Sequence, residues 1–355
     1  MTRHVALAAL MLAACSNQPQ ADATPTRTPE ATPHTAARQP ATAKTDAPVT
    51  PKPGVLKTFG DWQVGCDNGL VCTMASLLPD DGAGAGATLN LTRDPGPQGR
   101  YHAILGEGVT DASGRKPAVR FTVDGRDLGR DANALAAAMA NGRVLKVPGG
   151  TISLKGASAA LRYIDAMQGR AGTVTATVAT GAKPAASVPP APALPIVAAQ
   201  RLTPYTAKLP PSVVATMKRI GRCDLSEGMD STPSVARTPD GRLLVIQPCS
   251  AGAYNVIGAL FVVRGTDVRP AQVDALAGFD ATGADSQTPV HSVVNGDFDR
   301  NVLTSYAKGR GLGDCGVGQT FAWDGSRYRL VSQDEMSECR GNTEYIATWR
   351  ATMRP

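Results

Sequence analysis

Apolar and polar residues alternate along much of residues 57–182, which is the pattern of half-buried β-strands. The stretch FGDWQVGCDNGLVCTMASLL alternates on both sides of a Cys-Asp-Asn-Gly turn and predicts a β-hairpin. The stretches ATLNLTR and VRFTVDGRDLG continue the strand pattern. Apolar residues at helical spacing predict two helices, Asp131 to Asn141 and Ser158 to Gln168, each followed by a glycine.

The second half begins with a predicted short helix near Ser212 to Ile220 and then shows strand patterns. Two Asp-Gly pairs, at 240–241 and 324–325, are typical of tight hairpin turns. Because strands and helices do not alternate here, we do not expect a doubly wound parallel sheet. The chain is therefore predicted to be mainly β with a few helices, an α+β protein.

The N-terminus carries Arg3 and then an apolar run over residues 5–14, which is typical of an export signal and too short to span a bilayer. The tetrad Leu-Ala-Ala-Cys at 12–15 resembles the lipobox of bacterial lipoproteins. That resemblance implies a signal peptide over residues 1–14 and a lipid on Cys15, through which the protein binds the membrane. Ser16 after the cysteine implies an outer-membrane lipoprotein, facing the periplasm or the surface. An ordinary secretory leader with a stray cysteine is the alternative.

Two segments are rich in Pro and small residues, residues 15–56 and residues 183–211. The first cannot bury enough apolar surface to offset its ordering entropy, so it is predicted to be a disordered tether behind the lipid. The second is predicted to be a linker. These boundaries leave two β-rich domains, residues 57–182 with two helices and residues 212–355.

Six of the 7 cysteines remain when Cys15 carries the lipid, and an even number in an exported protein points to disulfides. Cys66 and Cys72 flank a five-residue turn and are predicted to pair. The other four allow three connectivities, and we predict sequential pairing because it closes hairpin-sized loops: Cys223 with Cys249 and Cys315 with Cys339. Structural zinc is the alternative, but the chain has no C-x-x-C pair. Both predicted domains are thus closed by disulfides.

The formal net charge of +6 is spread along the chain. A nucleic-acid surface needs a dense basic stripe with stacking aromatic residues, which this sequence lacks, so no nucleic-acid partner is expected. Gly311, Gly313 and Gly316 match the G-x-G-x-x-G spacing of a dinucleotide loop. In the residues after them apolar and polar positions alternate as in a β-hairpin and not as in a helix. We therefore expect a turn that is held by a disulfide, and no cofactor.

Four charged residues surround the predicted Cys315–Cys339 disulfide: Lys308, Arg310, Asp314 and Arg340. Glycine N–H groups in a turn, together with guanidinium groups, favour binding of an anion. We therefore expect an anion-binding or partner-binding site here, for an anionic cell-wall ligand or an envelope protein. The alternative is a disulfide-pinned turn with solvated charges.

Asp297, Asp299 and Asn301 stand at alternate positions, as the first ligands of a calcium loop do. The glycine at the sixth position and the distal glutamate of that loop are missing. A polar hairpin turn is therefore the alternative, and no metal site is assigned.

Catalytic signatures are missing, since the sequence holds neither a G-x-S-x-G elbow nor an H-E-x-x-H motif. His102 and His291 lie in the part predicted to fold. Asp80-Asp81 and the acidic stretch SQDEMSE would supply paired carboxylates, but sequence spacing does not set their separation in space. No catalytic residue is assigned.

Several stretches resemble, in the right order, the bacterial domain-of-unknown-function family 1176: FGDWQVGCDNGLVC, ISLKGASAALRYIDAMQGRAGTV, PCSAGAYN, AKGRGLGDCG and ECRG. The resemblance runs from about Phe59 to Trp349. The first half is also similar to the invasion-associated locus B proteins, through Gly-Asp-Trp at 60–62, the two cysteines after it, and residues 152–156. These resemblances imply an exported, β-rich, disulfide-bonded envelope protein and transfer no catalytic residues.

The sequence thus predicts a lipid-anchored cell-envelope protein, with a non-catalytic binding or scaffolding role in the periplasm or at the outer membrane. The alternative is a periplasmic hydrolase that acts on envelope polymers, with His291 and nearby Asp residues as acid and base.

Overall fold

The first half of the chain is built on an antiparallel meander of five strands. Each strand hydrogen-bonds to the one that follows it in sequence, as short hairpin connections require. The predicted hairpin is confirmed, with Cys66 directly opposite Cys72. The strands are β1 (Lys57–Phe59), β2 (Trp62–Cys66), β3 (Cys72–Ser76), β4 (Leu89–Arg93) and β5 (Tyr101–Leu105).

The computed structural model describes residues 50–79, 86–106 and 119–354. The predicted signal peptide, Cys15 and most of the predicted tether lie outside these ranges, as do Asp80 and Asp81. None of the helices within these ranges combines the length and the apolarity that a membrane span needs.

A four-stranded sheet and two helices complete the first half. The sheet has the order β7-β6-β8-β9, and the Asp-Gly pair at 124–125 forms its predicted turn with positive φ angles of 48° and 87°. The elements are β6 (Phe121–Val123), β7 (Arg126–Gly129), α1 (Ala132–Met139), β8 (Val144–Val147), β9 (Gly150–Ser153) and α2 (Ala157–Met167). Asp131 caps α1 by accepting from the N–H groups of Asn133 and Ala134.

The second half contains two larger antiparallel sheets and one helix. The first sheet has the order β11-β12-β13-β14-β15 with β16 on β14, the second runs from β17 to β21 in sequence order, and β10 pairs with β22. The elements are β10 (Ile196–Ala198), β11 (Thr203–Pro204), α3 (Pro211–Gly221), β12 (Ser234–Arg237), β13 (Leu243–Ala251), β14 (Val256–Arg264), β15 (Asp267–Pro270), β16 (Ser292–Val294), β17 (Asp297–Asp299), β18 (Val302–Lys308), β19 (Gly316–Trp323), β20 (Tyr328–Met336), β21 (Ile346–Arg350) and β22 (Thr352–Arg354).

The fold class is confirmed: strands dominate, three helices occur among the described residues, and each half has its own apolar core. In the first half Trp62 and Leu161 are completely buried, because α2 packs against β2. In the second half Trp323 packs edge-to-face on Tyr328, with ring centroids 5.1 Å apart. The glycine-rich loop at 309–315 leads into strand β19, as its alternating pattern predicts.

The two halves meet along a surface that we call the junction, where strands β2 and β3 face β21. Its apolar centre consists of Ala75, Leu77, Met336 and Ile346. Its polar part includes the buried Asn342, whose Nδ2 donates to the carbonyl of Ser76 at 2.8 Å and to Oδ1 of Asn90 at 2.9 Å.

All described residues belong to one compact unit, and the segment predicted as a linker takes part in it. Residues 183–211 carry β10 and β11 and bury Val188, Val197 and Leu202. The division into domains at residues 57–182 and 212–355 stays a prediction about which parts fold by themselves.

Candidate functional site

The residues predicted to bind an anion lie at one end of the β17–β21 sheet. The register places Lys308 of β18 opposite Gly316 of β19, and Gly316 opposite Met336 of β20. The loop at 309–315 follows Lys308, and the disulfide from Cys315 to Cys339 ties its end to the segment after β20. Gly316 is required here, since its φ is 139° and a Cβ would lie 2.1 Å from the carbonyl oxygen of Ala307.

Beside this disulfide is a cavity of about 520 Å³, which we call the disulfide cavity. Its size is in the range typical of small-molecule sites. Four stretches of chain that are distant in sequence line it: residues 252–255, residues 279–284, residues 308–317 and residues 335–339. Apolar residues supply much of its lining, among them Phe279 and Val317.

Polar side chains of the wall are held by hydrogen bonds within the protein. The hydroxyl of Tyr254 donates to the carbonyl of Gly309 at 3.0 Å, and the hydroxyl of Thr282 donates to the carbonyl of Phe279 at 2.7 Å. Two further pairs fix the ends of the strands: Asn255 Nδ2 donates to the Lys308 carbonyl at 2.9 Å, and Gln63 Nε2 donates to Ser337 Oγ at 2.7 Å. The wall is therefore positioned before any ligand arrives.

Lys308 and Glu335 supply the two charges in the lining of the disulfide cavity. Nζ of Lys308 lies 5.5 Å from the ring centroid of Tyr306, and no carboxylate among the described residues is within ion-pair distance of it. Burial raises the pKa of Glu335, and a hydrogen bond from Gln333 opposes that shift. Lys308 thus places an ammonium group at the edge of the cavity, on the Tyr306 side of the sheet, and Glu335 places a carboxyl group with a raised pKa in the lining.

Arg310 and Asp314 pair with each other across the glycine-rich loop. Nε of Arg310 donates to Oδ1 of the buried Asp314 at 2.7 Å, and the N–H of Gly341 donates to Oδ2 at 2.6 Å. The hydrogen bond from Arg310, helped by that from Gly341, lowers the pKa of Asp314 against the opposing effect of burial. This pair fixes the loop to the segment that carries Cys339.

Arg340 binds the first half of the chain at the junction. It donates to the carbonyl of Leu78 at 2.7 Å, to the carbonyl of Gly60 at 3.2 Å and to the carboxylate of Asp61 at 2.8 Å. Its side chain is 11% exposed. Of the four predicted residues, the structure therefore places Lys308 in the cavity wall, Arg310 and Asp314 in the loop, and Arg340 in the junction.

The residues considered for calcium are placed in strand β17 and the turn after it. Asp297 accepts from the hydroxyl of Ser234 at 2.9 Å, and Asn301 accepts from the N–H of Leu202 at 3.2 Å. Asp299 lies beside Arg300 at 3.5 Å. Within the described ranges no group of three or more His, Cys, Asp or Glu side chains is arranged to hold a metal ion.

The six cysteines pair as predicted, Cys66 with Cys72, Cys223 with Cys249 and Cys315 with Cys339. The Cys66–Cys72 bridge closes a turn that also binds the second half, because Asn68 donates to the carbonyl of Arg350 at 2.9 Å. Two of the three disulfides therefore lie beside the junction.

Neither His102 nor His291 is among the residues that line the disulfide cavity. His102 pairs with Asp94 at 2.7 Å on the surface, where the two side chains are 59% and 48% exposed. His291 lies just before β16, and none of the described carboxylates is within ion-pair distance of its ring.

Sequence reasoning missed several residues that form the wall of the cavity, namely Tyr254, Asn255, Phe279 and the role of Glu335. They come from segments far from Lys308 in the chain. The stretches PCSAGAYN and SQDEMSE did stand out in the sequence, but nothing in them indicated that they meet.

The described residues define a mainly β, disulfide-bonded protein with a preformed cavity beside one of its disulfides. The chain belongs to the family described as protein of unknown function (DUF1176), which matches residues 56–354. It is 32% identical over 308 residues to the uncharacterized protein YpfG of Escherichia coli (strain K12), across 78% of this chain and 86% of that protein. No solved structure matches it. The similarity to invasion-associated locus B proteins stays a prediction.

Proposed function

We propose that this protein is a lipid-anchored envelope protein that binds a ligand or partner at the disulfide cavity and carries out no catalysis. The ligand is an envelope component, either a small anionic molecule or a segment of an envelope protein. The lipid on Cys15 confines the protein, and therefore the cavity, to the neighbourhood of the membrane.

One observation carries this proposal: Lys308, picked from the sequence as an anion-binding residue, lines a preformed cavity and has no carboxylate partner among the described residues. Its ammonium group lies at the edge of this cavity, on the Tyr306 side of the β17–β21 sheet, where it attracts the anionic part of a ligand. Arg310 does not compete for such an anion, since its guanidinium already binds Asp314.

A hydrolase would instead need a histidine or a pair of carboxylates in one cleft. The histidine–carboxylate pair that the described residues contain, His102 with Asp94, is exposed on the surface. In the disulfide cavity the charged residues of the described lining are Glu335 and Lys308. The lining therefore offers one carboxyl group, and neither a second one nor a histidine to pair with it. The binding hypothesis therefore has the stronger support.

Photo-crosslinking tests the binding site. A photoreactive amino acid at Ala253, an exposed position in the cavity lining, is introduced into the full chain in cells. We expect an adduct, seen as a gel shift or as added mass, that is strongly reduced when Lys308→Met is also present. Lys218→Met is the matched control, because Lys218 lines a different cavity beside Cys223. The absence of any adduct at Ala253 would show that nothing binds there.

Cell fractionation tests the anchor. Cys15→Ser removes the residue that the lipobox resemblance identifies as lipidated, so the variant is expected in the soluble fraction. A variant that remains in the membrane fraction would show that another part of the protein holds it there.

A further inference from the structure

The face of the sheet that forms the apolar wall of the disulfide cavity carries a carboxyl group. In the register of strands β18 to β20, Ala307 lies opposite Val317, and Val317 lies opposite Glu335. Residues directly opposite each other share a face, so the Glu335 side chain lies beside Val317 in the lining. Lys308 points to the other face, where its Nζ lies 5.5 Å from the ring centroid of Tyr306. The apolar wall therefore carries a negative group, while the positive group lies at the edge.

The carboxyl group of Glu335 lacks a cationic partner in the part of the chain that the structure describes. No Lys, Arg or His among those residues is within ion-pair distance of it. Glu335 also lines a neighbouring cavity of about 390 Å³, whose described lining holds neither Lys nor Arg. A hydrogen bond from Gln333 reaches it, and Gln333 is itself held by Gln319, whose Nε2 donates to Gln333 Oε1 at 2.9 Å. Because an ionised carboxylate beside apolar groups is unfavourable unless it is paired, the site favours a ligand that brings a positive charge.

The rest of this wall suits the apolar stem of a cationic side chain. Phe279 and Val317 supply apolar surface, and Cys315 adds the disulfide. The hydroxyl groups of Tyr254 and Thr282 already donate to backbone carbonyls, so they leave little for a polar ligand to bind. A lysine side chain buries its methylene stem along apolar surface while its ammonium group reaches a polar partner. Such a side chain matches an apolar wall that holds one carboxyl group.

The two charges of the lining restrict the kind of ligand further. Glu335 attracts a cation and repels an anion, whereas Lys308 attracts an anion at the edge of the cavity. Strand β19 lies between their strands, so their backbones are two strand spacings apart, about 10 Å, and the two charges do not form an ion pair. A small anion satisfies Lys308 alone, but a polypeptide segment with a basic and an acidic side chain satisfies both. Charge complementarity therefore favours a protein segment as the ligand.

We propose that the disulfide cavity receives a lysine side chain from a segment of an envelope protein, with the ammonium group at Glu335 and the apolar stem along Phe279 and Val317. An acidic residue of the same segment pairs with Lys308 at the edge of the cavity. This inference rests on the proposed function, and it selects the protein segment from the two kinds of ligand proposed there.

Binding of a lysine side-chain analogue tests the charge preference of the cavity. The probe is pentylammonium, titrated by NMR into the full chain carrying Cys15→Ser, because this variant is expected to need no detergent. We expect saturable shifts of the backbone N–H signals of Val317 and Glu335. Pentan-1-ol, which has the same stem without the charge, should bind at least tenfold more weakly, and pentanoate should show no saturable binding.

Two matched variants localise the cation. Glu335→Gln keeps the shape of the side chain and removes its charge, so it should weaken pentylammonium binding at least tenfold. Glu227→Gln is the control and should leave binding unchanged, because Glu227 lines a different cavity beside Cys223. Circular dichroism checks that each variant is folded.

Photo-crosslinking from Ala253 identifies the source of the cation. We expect Glu335→Gln to reduce the adduct strongly, and mass spectrometry of the adduct to show a polypeptide crosslinked near a lysine. An adduct with a small molecule would reject the protein segment as the ligand.

Two results of the titration would also overturn the inference: no saturable binding of pentylammonium, or pentylammonium binding that Glu335→Gln leaves unchanged. An adduct at Ala253 that depends on Lys308 but not on Glu335 would leave the proposed function standing and reject the lysine side chain. No adduct and no pentylammonium binding would reject both.

Discussion

Replacing Arg340 with methionine should destabilise the protein through the junction, whatever binds in the cavity. Methionine keeps most of the apolar stem and removes three donated hydrogen bonds, to Leu78, Gly60 and Asp61. A hydrogen bond to or from a charged group contributes about 1.5–3 kcal/mol. The three are not additive, because Asp61 is 22% exposed and water replaces part of what is lost. We therefore expect a loss of about 3 kcal/mol in the free energy of unfolding.

Urea unfolding followed by tryptophan fluorescence measures this loss, since Trp62 reports on the first half and Trp323 and Trp349 report on the second. With a urea m value of about 3 kcal/mol/M, the midpoint should fall by about 1 M. Arg300→Met is the control, because its pair with Asp299 is 3.5 Å long and its side chain is 88% exposed. Equal midpoints for the two variants would refute the role assigned to Arg340.

The effect of Arg340 should also depend on pH through Asp61. Burial alone would raise the pKa of Asp61, but hydrogen bonds from Arg340 and Ser153 and the nearby positive charges lower it overall. A carboxylate whose pKa is lowered in the folded state contributes stability above its unfolded pKa, near 3.8, and loses it as the pH falls through the folded value. The difference between wild type and Arg340→Met should therefore be full at pH 7 and smaller below about pH 3.8. An unchanged difference would show that the Asp61 carboxylate contributes little.

Three further experiments test other parts of the fold by the same unfolding assay. Asp165→Ala removes the completely buried partner of Arg93 and should cost about 3–5 kcal/mol, because a buried charge is left unpaired; a loss below about 1 kcal/mol would contradict this. Replacing Cys315 and Cys339 with alanine should cost about 3.5 kcal/mol under non-reducing conditions, the loop-closure value for a separation of 24 residues, and a reductant should then have no further effect at this site. Gly156→Ala should be more destabilising than Gly125→Ala: both residues have positive φ, but a Cβ at Gly156 would lie 1.8 Å from the Phe59 carbonyl oxygen, while one at Gly125 meets nothing within 4 Å.

Much of the fold could be predicted from local pattern, because the signals concerned act over a few residues. Period-two alternation and Asp-Gly turns predicted the hairpins, and apolar residues at helical spacing with a glycine after them predicted α1 to within two residues at each end. The disulfide pairing could be predicted because sequential cysteines in hairpins lie close together in space.

The junction and the cavity could not be predicted, because they depend on how distant segments pack. Arg340 looked like a surface residue beside a glycine-rich loop, yet its carboxylate partner, Asp61, is 279 residues away. Asp165 lies on a helix face that the apolar pattern assigns to the core, and it is stabilised there by Arg93 and by three consecutive N–H groups at 177–179. Sequence periodicity shows which face is buried, but not which groups meet there.

The segment from Ser337 to Tyr345 connects the two main features of this molecule. Ser337 and Cys339 line the disulfide cavity, while Arg340 and Asn342 hold the first half. A ligand that binds the cavity of the folded state and has no affinity for the unfolded chain must stabilise the folded state by mass action. Because the cavity wall and the junction share this segment, the same ligand should also protect the junction against local opening. Arg340→Met, which loosens the segment without touching the cavity lining, should weaken ligand binding, and saturating ligand should restore part of the lost stability.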